Sequence, residues 1–534
     1  MIAERLSPPT GAAPDGGLRF ALGLRLMPGV LALFVMLAIS VAALLALALR
    51  SNAGVSLTLL QERWFWHVLR FSLWQALLSA VLSLLIALPL ARTLALDRHL
   101  PGRTWFQRLC LLCFVMPSLV LITGLVTLFG RSGWITPLLG GGWQLYGLPG
   151  ILIAHVYLNA PFAIRVLSQR WQSIPVDAWK ISAQLGLNGW QRFRLVEWPM
   201  LRTALPGVFG FVFLLCFNSF AVVLALGGGP RATTLEVAIF QALKFDFNPP
   251  EALFLACMQL VVAGSLFVLF SRWGGLQWLV AARAGDAWRP QVGMAVKWGG
   301  RALYAAVVAF LSLPIVSLVP AAAAAGRALP WPEIARATVF SVGFALAAAL
   351  LAVALALAAL SLWRHFDDAP RRRLVEAAAV HHLVIPGMVL SVGVYVLLMA
   401  RVNWLEWGWV AIVLLNALMA LPFVFVQLRP SMFEYDAQYR PLLADLGLQG
   451  WHHWRRVLGP FLAPALRRVA AIAFVLALGD FAVFGIYGNP SWHTLPWMIH
   501  ALAGSYRLDE AAAAALLLLA VALAALCLLE RARA

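Results

Sequence analysis

The sequence predicts an all-α integral membrane protein, with about twelve transmembrane helices in two parallel six-helix repeats. Three observations predict it: bulk apolarity, apolar stretches recurring along the whole length, and a sequence repeat at a spacing of 261 residues. Across 534 residues the chain is 62% hydrophobic and only 12% charged, with a mean hydropathy of +0.86. That composition is far too apolar for an ordinary water-soluble domain. A helix rises about 1.5 Å per residue and needs about 20 apolar residues to cross the hydrocarbon.

In chain order the first six such stretches are 26 to 49, 66 to 91, 109 to 129, 147 to 167, 205 to 226 and 251 to 271. The second six are 302 to 323, 337 to 362, 375 to 398, 409 to 427, 468 to 488 and 511 to 529. The first is long and follows a mixed polar segment, which favours a retained anchor over a cleaved signal peptide.

A net charge of +18 raises the question of nucleic acid. Threading twelve spans from an inside start places 30 of the 40 Lys and Arg residues on one side. Such a bias is the positive-inside pattern, with both termini cytoplasmic, and it accounts for the basicity without a nucleic-acid partner. The five cysteines, Cys110, Cys113, Cys216, Cys257 and Cys527, all fall in apolar spans. They read as small hydrophobes rather than a disulfide framework or metal site.

The repeat aligns without a gap for sixty residues: "APFAIRV" from Ala160 faces "LPFVFVQ" from Leu421, and "LGLNGW" (Leu185 to Trp190) faces "LGLQGW" (Leu446 to Trp451). Arg194, Val196, Pro199 and Leu201 fall on Arg455, Val457, Pro460 and Leu462, and Phe220 falls on Phe481. Each copy holds six spans, an even number, so both halves enter the membrane in the same direction. Parallel repeats share an axis along the membrane normal, and a cavity is expected where they meet. The chain thus divides into a first module (1–271, docking loop about 176–202), a basic cytoplasmic linker (272–301) and a second module (302–534, docking loop about 435–465).

Both hexapeptides lie in the loop joining the fourth and fifth spans of their module. Trp190, Phe193 and Val196, like Trp451, Trp454 and Val457, recur at every third position and can line one face of a short helix. Gly186 and Gly447 permit a break from the preceding helix, and Pro199 and Pro460 limit the short helix or start the next one. Two matched aromatic-faced elbows suit two identical partners, since Trp and Arg dominate interface anchors.

The pattern from Leu185, Gly186, Leu187, Gly189 and Trp190 through Phe193 and Arg194 to Pro199 resembles the "EAA" loop of ABC importer permeases. Leu446, Gly447, Leu448, Gly450, Trp451, Trp454, Arg455 and Pro460 repeat it. In that family the loop is the coupling helix that docks on the nucleotide-binding subunit, and the fold is the type I importer permease. The family's acidic residue is missing: Lys180 and Pro441 stand in its place, with Asp177, Glu434 and Asp436 nearby. "WHVLRFSLWQA" (66 to 76), "LGGGPRATTLEVAIFQAL" (226 to 243), "LGDFAVFG" (478 to 485) and "GSYR" (504 to 507) extend the resemblance to fused permeases of thiamine and thiamine-diphosphate importers. Fused ferric-iron permeases share the doubled architecture and are the nearest competitor. The resemblance implies two copies of a cytoplasmic ABC ATPase, one extracytoplasmic binding protein, a bacterial inner membrane location, and no cofactor.

Asp480 sits inside an apolar segment, where a carboxylate costs on the order of 3 kcal/mol. Either it faces the path and offsets a cationic cargo, or it caps a helix broken at Gly479. Asn218, Ser219, Phe220, Asp480 and Phe481 are the candidate path residues. "GGGPRATT" lacks the ending of a P-loop and reads as an external turn before "TTLEVAIFQAL"; with its counterpart "GNPSWHTLPWMIHAL" it is a candidate contact for the binding protein. His381 and His382 are adjacent on a helix, diverge, and read as interface residues rather than a metal pair. No nucleophile–base pair or nucleotide fingerprint appears, so the chain alone is expected to catalyse nothing. A gradient-driven secondary transporter would need more intramembrane charge and no docking elbows.

Overall fold

The computed structural model describes residues 16–50, 57–97, 99–140, 143–274, 288–290, 293–326, 329–366, 368–383, 385–446 and 450–531. Among the described residues every regular element is helical. Eight helices are long and apolar enough to cross a membrane singly. Two bent helix pairs reach the same apolar length together, Arg103–Val115 with Ser118–Phe129 at 103° and Gly189–Leu201 with Leu205–Phe217 at 58°. The shorter apolar helices Met27–Ala43 and Gly387–Leu398 occupy the two remaining expected stretches.

The stretch 109 to 129 was expected to be continuous, and it is not. Pro117 has no N–H and disfavours the helical region for the residue before it. Met116 accordingly takes φ −59° and ψ 133°, and the chain turns there. The second half repeats the device with Pro386 ahead of helix Gly387–Leu398. The fifth span also breaks in both halves, between Leu205–Phe217 and Ala221–Leu226 and between Gly459–Leu478 and Ala482–Tyr487. A short apolar helix follows each break, Leu235–Lys244 and Leu495–Gly504. Its first N–H is satisfied from the second span: Leu235 N donates to Ser72 Oγ (3.0 Å) and Leu495 N to Ser341 Oγ (2.7 Å).

The halves interlock through their first helices. A Cβ at Gly124 would strike the Pro314 backbone, and one at Gly393 would strike Ala43, so the third span of each half lies against the first helix of the other. Small residues allow this close approach, the usual basis of helix association in lipid. Tyr157 Oη adds a buried donor to the Leu311 carbonyl across the same boundary (2.6 Å). The segment expected as linker is shorter than 272–301: helix Pro249–Gly274 runs into it, and helix Met294–Ala325 starts within it. Arg289, between them, donates to the Gln172 carbonyl (3.0 Å) and lies over the Trp179 ring.

Candidate functional site

The first docking segment starts where helix Val176–Gln184 ends. Gly186 takes φ +63°, the left-handed conformation expected of it. Leu187 leads to Asn188, which caps the next turn reciprocally: Gln191 N donates to Asn188 Oδ1 (2.9 Å) and Asn188 N to Gln191 Oε1 (3.0 Å). Such a capping box fixes the start of a helix too short to persist alone. Gly189–Arg192 then passes into a π-turn, Phe193–Glu197.

The described part of the second segment repeats the short helical turn and the π-turn that follows it. Gly450–His453 leads into the π-turn Trp454–Leu458 at the same 261-residue offset. The prolines explain both turns. Pro199 and Pro460 cannot donate to the carbonyl four residues back, so the ladder slips by one. The residue before each proline donates five residues back instead, Trp198 to Phe193 and Gly459 to Trp454. Gly450 takes φ +63°. Gly447 and Leu448 lie outside the described residues, and Leu446 is placed by its backbone alone.

Each segment presents a tryptophan outward: Trp190 is 70% exposed and Trp451 is 68% exposed. Leu185, Arg194 and Arg455 are exposed beside them, and Phe193 stacks on Trp190 at 5.8 Å. Behind this surface the supports differ. In the first half, Glu197 is fully buried and accepts from Arg92 Nε (2.7 Å), Arg92 Nη2 (2.9 Å) and Trp171 Nε1 (2.9 Å). Leu458 occupies the matching place in the second half. There Tyr435 Oη meets His453 Nε2 at 2.6 Å, and Arg364 pairs with Asp436 while lying over the Tyr435 ring. Sequence reasoning missed Glu197, although an acid in the basic stretch "RLVEWP" was a signal. Asp177, one candidate for the missing family acid, is exposed; Asp436, another, is the one that pairs.

Toward the middle of the molecule the two fifth-span breaks meet. Phe220 and Phe481, the repeat equivalents, stack at 5.8 Å with their planes 19° apart. Phe240 packs edge-on against Phe220 (5.0 Å) and His500 against Phe481 (4.8 Å), so four rings close the boundary between the halves. Gly479 lies against Pro117 at the bend of the other half, where a Cβ would come within 3.1 Å. Asp480 faces back into its own half. It accepts from Val483 N (3.3 Å), Phe484 N (3.3 Å) and Asn416 Nδ2 (3.2 Å), the geometry of a helix cap. Ser219, its equivalent, is half-buried, and Asn218 Oδ1 accepts from Gln259 Nε2 (3.3 Å). Gln259 also donates to Glu236 (2.7 Å), a buried acid that sequence reasoning passed over inside "TTLEVAIFQAL". Each half therefore steadies its break with a carboxyl group, buried at Glu236 and half-buried at Asp480, and an amide, placed on different helices.

The histidines do not diverge. They sit in a 3-10 turn, and both Nε2 atoms reach Ser40 Oγ, at 2.8 and 3.2 Å. Among the described residues no group of three metal-ligating side chains occurs, and Cys110, Cys113, Cys216, Cys257 and Cys527 are free thiols.

Eight single apolar crossings with two bent pairs, breaks in the fifth span of each half that meet at a ring stack, and two exposed elbows are the architecture of a membrane permease. Residues 83–272 match the family described as binding-protein-dependent transport system inner membrane component. The thiamine transport system permease protein ThiP of Salmonella typhimurium is 38% identical over 523 residues, covering 95% of this chain and 96% of that one. The protein of the same name from Escherichia coli is 37% identical over 511 residues, covering 92% and 94%. That from Haemophilus influenzae is 37% identical over 466 residues, covering 85% and 86%. The chain belongs to this family of fused permeases of binding-protein-dependent, ABC-type importers.

Proposed function

We propose that the chain forms the path by which an ATP-driven importer of the bacterial inner membrane carries thiamine and its phosphate esters into the cytoplasm. The observation that carries this reading is the pair of exposed tryptophans on π-turn segments at equivalent positions, one per half. Two copies of a cytoplasmic ABC ATPase dock there, through Leu185 to Pro199 and Leu446 to Pro460, and supply the hydrolysis that this chain lacks. An extracytoplasmic binding protein delivers cargo at the opposite face, and both termini are cytoplasmic. Modules 1–271 and 302–534 move against each other about the boundary between them.

Phe220 and Phe481 are the constriction of the path, and Asn218, Ser219 and Asp480 set their positions. When nucleotide closes the ATPase pair, the elbows move with it and the stacked rings part. Their faces suit an aromatic cation, since a π-system attracts positive charge. The test is uptake of radiolabelled thiamine in cells lacking the chain, with ferric iron as competitor. Uptake restored by the chain and indifferent to iron supports the reading; restored iron uptake without thiamine uptake overturns the cargo.

A further inference from the structure

Helix Arg63–Leu96 carries no charge between Arg70 and Arg92. Those arginines are 22 residues apart, or about 33 Å along the axis, which matches the hydrocarbon thickness. Arg92 is tied to Glu197 of the docking segment, so Arg70 marks the membrane boundary remote from the elbows. Positive charge is disfavoured on that side, yet Arg63, His67 and Arg70 fall at i, i+4 and i+7 on one stripe there. Among the described residues neither arginine has a carboxylate within ion-pair distance.

The stripe opens into a groove of about 1030 Å³ that continues down the helix past Trp66, Trp74 and Leu77, with Phe213 lining it from the fifth span. Trp66, Trp74 and Leu77 are exposed, and Leu77 lies seven residues, about 10 Å, below Arg70. That depth falls within one leaflet. A soluble partner could not reach it, so the occupant comes from the bilayer itself.

We infer that this groove is a binding site for an anionic glycerophospholipid, with the headgroup phosphate held by Arg63 and Arg70 and an acyl chain laid along Trp74, Leu77 and Phe213. Charge selects the headgroup: arginine pairs with phosphate through a planar fork, and Trp rings sit well at headgroup level. The inference does not depend on the cargo.

The test is native mass spectrometry of the full chain, purified in mild detergent and titrated with phosphatidylglycerol or phosphatidylcholine. Phosphatidylglycerol is expected to bind about thirtyfold more tightly, roughly fivefold per arginine. Arg63→Gln with Arg70→Gln abolishes the preference, Arg63→Lys with Arg70→Lys keeps most of it, and Arg131→Gln leaves it unchanged. Equal retention of the two lipids by the unaltered chain overturns the site, as does a preference that survives the double Gln change. Displacement of phosphatidylglycerol by inorganic phosphate overturns it too, since that describes an anion site without a chain.

Discussion

From Trp451 the helix Gly450–Leu478 runs unbroken to the break before Phe481, whereas the matching chain of the first half turns by 58° before it reaches Phe220. Pro206 and Gly207 stand in the first half where Arg467 and Arg468 stand in the second. Pro206 cannot donate to the Arg202 carbonyl, so the ladder stops and restarts at Leu205; Arg467 can donate, and its helix continues. Supports diverge in the same way: the bent arm is clamped at its elbow by Glu197 and Arg92, and the straight arm is braced by Tyr435 and His453. What the two halves share is an outward tryptophan on a π-turn segment and the ring each delivers to the boundary. Between those fixed ends the halves differ in mechanics, one arm bent and clamped by an ion pair, the other straight and braced by an aromatic contact.

The largest effect expected strikes the shared feature. Trp190→Asp with Trp451→Asp places charge at the centre of both docking surfaces and should abolish co-purification of the ATPase. Each single change should leave one grip and a weaker complex. Retention of the ATPase by the double variant would remove both elbows from docking.

The second test separates the supports. Glu197→Ala strands Arg92, partly solvated, and leaves the Trp171 N–H without its acceptor, a loss at the lower end of the range for breaking a buried pair, about 3 kcal/mol. Tyr435→Phe removes one hydrogen bond to His453, about 1 kcal/mol. Thermal unfolding of the purified chain should show that order, and equal losses would mean that the elbows are held by packing alone.

Much of this was legible because it follows from length and repetition. Apolar stretches of bilayer length became helices, and the 261-residue offset maps one π-turn onto the other. The turns themselves were not foreseen, because a one-residue slip leaves no period in the side chains; Pro199 and Pro460 were its only trace. The bend at Pro117 was hidden by an apolar run that continues on either side of it. Glu197 was missed because the family's acid was sought near Lys180, while the fold supplies one seventeen residues later. Asp480 stood out by composition, yet which way it points depends on Asn416, 64 residues away, and no local pattern carries that.

The boundary gives a smaller contrast. Phe220→Ala frees Phe240 as well as Phe481, whereas Phe481→Ala frees Phe220 and the more polar His500. Each aromatic contact is worth about 1 kcal/mol beyond its area, so both changes should raise thiamine leak without nucleotide several-fold in proteoliposomes, Phe220→Ala the more. No leak in either variant would move the constriction away from these rings.

The smallest effect should come from Asp480→Asn. The amide oxygen can keep the two bonds made at Oδ2, from Phe484 N and Asn416 Nδ2, and gives up only the Val483 N bond to Oδ1, and the group points toward Asn416 rather than across the boundary. Uptake should therefore stay within about twofold, while Asp480→Ala, which removes the cap, should cost roughly 1 kcal/mol of stability. Ser219→Ala in the first half should cost less, since Ser219 bonds to the Cys216 carbonyl through its backbone N–H, which alanine keeps. A tenfold loss of thiamine uptake in a fully stable Asp480→Asn protein would give the carboxylate a different role, in which its charge and not its cap acts on the cargo, and the second half alone would supply it.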